Sequence, residues 1–100
     1  MVKHIILWTL KPEFSEAEKE EIKKGIKSGL EGLMGKIEGM TEIHVITEGL
    51  KSANVDVMLD ATYVSEEALK AYSVNPLHVE VANTKVRPYT ASRSCMDYEV

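Results

Sequence analysis

His4, Tyr72 and His78 are the side chains best suited to acid–base chemistry. An imidazole titrates near pH 6.5, so it can take or give a proton close to neutrality. A tyrosine hydroxyl beside it can orient a carbonyl oxygen or share the proton. Tyr72 and His78 flank the Asn75-Pro76 break, and His4 interrupts an otherwise apolar strand. Brought together between a sheet and its helices, the three would line an apolar cleft with a few polar groups, the usual form of a small-molecule site. Each also has a purely structural reading. His4 can be a packed strand histidine, Tyr72 a core ring, and His78 a surface residue in the first turn of a helix.

Other reactive constellations are absent. Cys95 is the only cysteine, so there is no intrachain disulfide and no zinc site built on cysteines. A lone cysteine reads as a small buried hydrophobe. His4, His44 and His78 show no metal-ligand spacing, so no metal is expected. His44 is expected to be exposed. Asp56 and Asp60 lie four apart on one strand face and read as loop-edge and solvent charges. No glycine-rich phosphate loop, nucleophile elbow or dinucleotide fingerprint occurs. No cofactor is implied.

The elements that must position these residues follow from periodicity. Val2 to Lys11 predicts a strand with Val2, His4, Ile6, Trp8 and Leu10 on one face. Ile5, Leu7 and Thr9 lie on the other. Both faces are largely apolar, so both should be covered; helices can cover one, and a second subunit is a candidate for the other. Ser15 with Glu18 forms a capping box that starts a helix. Its apolar stripe is Ile22, Ile26, Leu30, Leu33 and Ile37, and Gly35 or Gly39 should end it. Gly25, Gly29 and Gly32 flank the stripe and read as close packing of this helix on the sheet, with room for a ligand beside the helix as the alternative.

Strands follow at Thr41 to Glu48 and Val55 to Val64. In the latter, Val57, Leu59, Ala61 and Tyr63 share a face. Ser65 caps a helix to about Tyr72, with Glu66 and Glu67 in its favourable first turn. Asn75 and Pro76 start a further piece to about Arg87. Ser92 to Glu99 closes the chain as a strand, with Ser94, Met96 and Tyr98 opposite Arg93, Cys95, Asp97 and Glu99. The order β-α-β-β-α-β predicts an α+β, ferredoxin-like domain over residues 1–100, with a four-stranded antiparallel sheet.

Composition bounds the partners. Twelve basic against sixteen acidic residues leave a net charge of −4. That balance lacks the basic footprint of a nucleic-acid binder or of an anionic-membrane binder. The longest apolar run, Ile5 to Trp8, is far short of the roughly 20 residues of a membrane helix. With no leader pattern at its start, the chain is expected in the cytoplasm.

Several stretches resemble the stress-responsive dimeric A/B barrel (Dabb) domains. They are Met1-Val2-Lys3-His4-Ile5-Ile6-Leu7 followed by Lys11, Asp56-Val57-Met58-Leu59, Ser65-Glu66-Glu67-Ala68-Leu69, Ala71-Tyr72-Ser73-Val74-Asn75-Pro76-Leu77-His78 and Met96-Asp97-Tyr98-Glu99. The resemblance spans nearly the whole chain. It implies a homodimer whose two sheets pack face to face as a dimeric α+β barrel. Ile5 and Leu7 would lie at the interface, and His4, Ile6 and Trp8 on the helix-covered side. It also implies that His78 and Tyr72 match the catalytic pair of polyketide-cyclase members, with His4 matching a pocket histidine. Val57 stands where those members carry a polar pocket residue, and Asn75 where a histidine commonly precedes the proline.

Two functions are therefore expected to compete. One is a homodimer with a small pocket, lined by His4, Ile6, Trp8, Val57 and Leu59, that binds a small apolar or keto compound without turnover. The other is a cofactor-free enzyme acting on a small keto compound, with His78 as acid or base and Tyr72 polarising the carbonyl. A cofactor-independent oxygenase, as in other dimeric barrel families, is a third.

Overall fold

The computed structural model describes residues 1–100. Strand β1 (Val2–Leu10) is followed by helix α1 (Glu16–Glu31), strands β2 (Met40–Ile46) and β3 (Val57–Tyr63), helices α2 (Glu66–Val74) and α3 (Pro76–Val81), and strand β4 (Thr90–Glu99). The sheet is antiparallel with order β2-β3-β1-β4. This is the ferredoxin-like arrangement, with helices on one face only.

Strict alternation builds β1. Val2, His4, Ile6, Trp8 and Leu10 are buried beneath the helices, while Ile5, Leu7 and Thr9 are half-buried on the open face. The helix-covered side holds a continuous apolar core, with Ile26 and Leu30 of α1 and Val45, Val57 and Leu59 of the sheet among its most enclosed members. The open face carries Ile5, Leu7 and Met58, with exposed Met96 and Tyr98 from β4. Lys3 and Asp60 pair across it at 2.9 Å.

Ser15 caps α1 as a full capping box with Glu18. The helix stops at Glu31, short of the expected Gly35 or Gly39. Beyond it the chain tightens into turns in which Leu33, Met34 and Lys36 donate to carbonyls three residues back. Leu33 and Ile37 stay buried through these turns, so the apolar stripe outlasts the helix. Gly39 adopts φ +84°. A Cβ there would stand 2.6 Å from that of Ala68, so the turn needs glycine for conformation and for space. The expectation that the α1 glycines pack on the sheet is corrected. A Cβ on Gly29 would meet Val81 Cγ1 at 3.0 Å, so that glycine lets α1 approach α3.

The strands are shorter than their apolar patterns at β2 and β3, and β4 begins at Thr90. The second helical region breaks where expected. Ser65 accepts from the Ala68 N–H, and Asn75 ends α2 and caps α3. Ala82–Val86 then forms a π-helical turn that the apolar spacing does not signal. That turn keeps Ala82 and Val86 on the core side.

Candidate functional site

β1 and α2–α3 bring His4, Tyr72 and His78 together. The Tyr72 ring lies 4.1 Å from that of His78, centroid to centroid, with the planes at 33°. His4 meets Tyr72 edge-on at 6.1 Å and Tyr63 at 6.3 Å. Tyr63 and Tyr72 are 5.1 Å apart. The four rings form one contiguous array between sheet and helices. The Asn75-Pro76 break creates it: without that break, α2 would run on and His78 would not fold back over Tyr72.

Beside this array lies a cavity of about 130 Å³. Its walls include His4, Ile6, Trp8, Leu59, Tyr72 and His78. Val57 is buried in the core and does not line it. Arg87 and Arg93 reach its rim, and no carboxylate pairs with either. Three buried polar atoms here have no partner within the chain: Tyr63 Oη, Tyr72 Oη and His78 Nδ1. Such groups are costly to bury unpaired; Tyr72 and His78 line the cavity, and Tyr63 lies behind them in the ring array.

The electrostatics sort the pair into roles. Burial pushes the Tyr72 hydroxyl up to about 12, so it stays protonated and can donate. Tyr63 is raised as well, by burial and by the neighbouring Tyr72. Burial lowers His78 below the ordinary imidazole value. The backbone carbonyls of Ser73 and Tyr72 oppose this, and the Arg87 charge adds to it. His78 is therefore neutral at pH 7 and able to accept a proton.

A second cluster lies on the outer side of His4, in a groove of about 580 Å³. His4, Ser73 and Arg93 line both spaces, so the groove and the cavity are neighbours separated by these side chains. Here His4 Nδ1–H donates to Asp97 Oδ1 at 2.5 Å, and the Cys95 thiol donates to the same oxygen at 3.4 Å. Cys95 is not the buried hydrophobe expected of it. It is exposed because β4 is an edge strand that the helices leave bare. Burial and the Asp97 carboxylate raise its thiol above the ordinary value. Sequence reasoning missed Asp97 and Cys95. The signal was their two-residue spacing on one face of β4, but only the pairing of Asp97 with His4 gives it meaning.

The remaining candidates lie elsewhere. Ile5 and Leu7 face the open side of the sheet, and His44 is exposed on β2 beside Glu42. Asp56 is not merely a solvent charge. Its carboxylate accepts from the Leu10 N–H at 2.8 Å and ties the end of β1 to the start of β3. No helix is long and apolar enough to cross a membrane.

Several solved structures share this architecture. A dimeric protein of ferredoxin-like fold from Bacteroides fragilis superposes with a TM-score of 0.92 at 27% identity, covering 99% of this chain and 95% of its own. An Arabidopsis thaliana protein gives 0.74 at 26% identity, covering 100% and 95%. A hydroxynitrile lyase from Passiflora edulis gives 0.71 at 17% identity over 97% and 90%, a likeness of fold alone. No curated protein matches the chain. Residues 2–100 match the stress responsive A/B barrel domain, and the chain belongs to that family.

Proposed function

We propose that the Tyr72–His78 cavity binds a small carbonyl compound and moves a proton at the carbon next to the carbonyl. The observation that carries this reading is the pair of unpartnered buried atoms, Tyr72 Oη and His78 Nδ1, at one apolar cavity. Neutral His78 takes the proton. The Tyr72 hydroxyl donates to the carbonyl oxygen and stabilises the enolate as charge moves onto it. Arg93, unpaired at the rim, adds a favourable field. The volume sets the size of the ligand. A cavity near 150 Å³ admits a benzene-sized molecule, so this site suits a compound of about that bulk.

Two copies of the chain are proposed to pack through their open sheet faces. Ile5, Leu7, Met58, Met96 and Tyr98 form an apolar face there, and the Bacteroides fragilis neighbour is dimeric. The cavity lies on the other side of each sheet, so dimerisation leaves its entrance free.

Binding without turnover is the second reading. The mostly apolar wall of the cavity favours it, with Ile6, Trp8, Leu30 and Leu59 among the lining. A thermal-shift panel of small ketones and keto acids tests the site. The parent protein should gain stability with ligand concentration, as expected for binding to the folded state alone. Tyr72→Phe and His78→Ala should gain little. No stabilisation of the parent by any member of the panel, or equal stabilisation of all three proteins, would overturn the assignment.

A further inference from the structure

We propose that His4, Cys95 and Asp97 form a mononuclear site for a borderline-soft divalent ion, zinc foremost, at the floor of the outer groove. The sheet register builds it. Antiparallel pairing sets His4 against Asp97 and Ile6 against Cys95, so all three side chains emerge on the helix side within one step of the ladder. Their donor atoms all lie within 4.8 Å of one another. Cys95 Sγ is 3.4 Å from Asp97 Oδ1 and 3.9 Å from His4 Nδ1, and Asp97 Oδ1 is 2.5 Å from His4 Nδ1.

Zinc–ligand lengths and a tetrahedral angle place such donors roughly 3.3–3.6 Å apart. The two sulfur distances are already close to that. Only the His4–Asp97 approach must open, by roughly 1 Å. The Asp97 side chain is 45% exposed, so its outer side is open for that movement. His4 is held firmly between Tyr63 and Tyr72 on an interior strand.

A nucleophilic relay does not explain this arrangement. In a relay the imidazole bridges thiol and carboxylate through its two different nitrogens. Here Sγ and Oδ1 both lie nearest the same nitrogen, Nδ1. Three unlike donors within 4.8 Å of one another are what a shared ion requires. The mixed nitrogen, sulfur and oxygen set selects against magnesium and calcium, which want oxygen alone. Three protein ligands leave a fourth position open to the groove, the form of a zinc site that keeps a water or takes a ligand. Besides Asp97, Glu66 and Glu99 line that groove and offset Lys70 and Arg93; Arg93 lies beside Cys95 and turns aside when the ion binds.

Cobalt(II) is the probe, added to native protein with its thiol kept reduced by a phosphine. The native chain should take up about one ion per protomer and show thiolate-to-cobalt charge-transfer absorption, and zinc should displace it. Cys95→Ser should lose the band. It should bind zinc more weakly than the parent by more than the roughly 10–100-fold that loss of an outer-shell partner costs. Asp97→Asn should keep the band and bind more weakly. Both positions are exposed, and circular dichroism checks that the variants fold. Native protein that shows no charge-transfer band overturns the proposal, including the case of cobalt held only by His44 and Glu42. So does a zinc affinity that Cys95→Ser leaves unchanged. Should a variant fail to fold, the native cobalt spectrum decides. None of these readouts depends on the fate of the Tyr72–His78 reading.

Discussion

The ring of Tyr72 lies against the imidazole of His78 at 4.1 Å, and each residue holds a buried polar atom with no well-formed hydrogen bond inside the chain. A fold selected for stability alone would fill that position with an apolar ring. On the proposed reading the contact is a site held ready for a ligand, and it makes a stability prediction of its own.

Replacing Tyr72 with Phe removes an unpaired hydroxyl and keeps the ring. Stability in urea should change by less than about 1 kcal/mol, in either direction. Tyr72→Ala removes the ring as well and should cost about 3–5 kcal/mol, as large-to-small changes in cores do. A large loss in Tyr72→Phe would mean that the hydroxyl has a structural partner.

His78 makes stability depend on pH. Its pKa is lowered in the fold, chiefly by burial, so the unfolded chain takes up the proton first as pH falls. Its stabilising effect is complete above the ordinary value of 6.5 and is lost as pH drops from there through the lowered folded value. Thermal melts should show a decline in Tm in that window, and His78→Gln should flatten it. Glu18 and Glu31 act in a different window. Both carboxyls are held below 4.5, so their contribution disappears only at more acid pH.

Glu31 secures an exposed sheet edge. Its carboxylate accepts from the Val45 N–H and from Lys27 Nζ, each at 2.9 Å, and Lys27 also donates to the Val45 carbonyl at 2.7 Å. Although burial opposes it, Lys27 and the Val45 N–H hold the Glu31 carboxyl below its ordinary value. Glu31→Ala should cost about 1–3 kcal/mol, because Val45 is fully buried and its N–H loses its partner. Glu31→Gln should cost less. Equilibrium urea unfolding distinguishes them.

The open sheet face predicts an oligomer. Leu7→Glu places a charge at its centre without touching the core on the far side. Sedimentation velocity should find the parent as a dimer and Leu7→Glu as a folded monomer. A parent protein that stays monomeric at micromolar concentration would remove this part of the account.

Much of this was legible in the chain because one-sided and two-sided burial write different patterns. Alternation in Val2–Leu10 marked both faces of β1, and Ser15, Ser65 and Asn75 marked three helix starts. His4, Tyr72 and His78 could be named because few polar groups interrupt the apolar faces. What was not legible depended on contacts between distant segments. The end of α1 is set by turns around Gly32, although its apolar stripe continues to Ile37. The π turn at Ala82–Val86 shifts a helical period by one residue and leaves no compositional trace. The His4–Cys95–Asp97 cluster exists only through the register of β1 on β4, which no local pattern specifies.

The central claim is that His78 and Tyr72 move a proton beside a carbonyl. Its most direct test is deuterium exchange into small ketones in D₂O near neutral pH, followed by proton NMR. The parent protein should accelerate loss of the α-proton signal for ketones of about benzene size, with His78→Ala falling to the rate in buffer and Tyr72→Phe slowed. Exchange at the buffer rate with every ketone small enough to enter, or acceleration that His78→Ala retains, would contradict it.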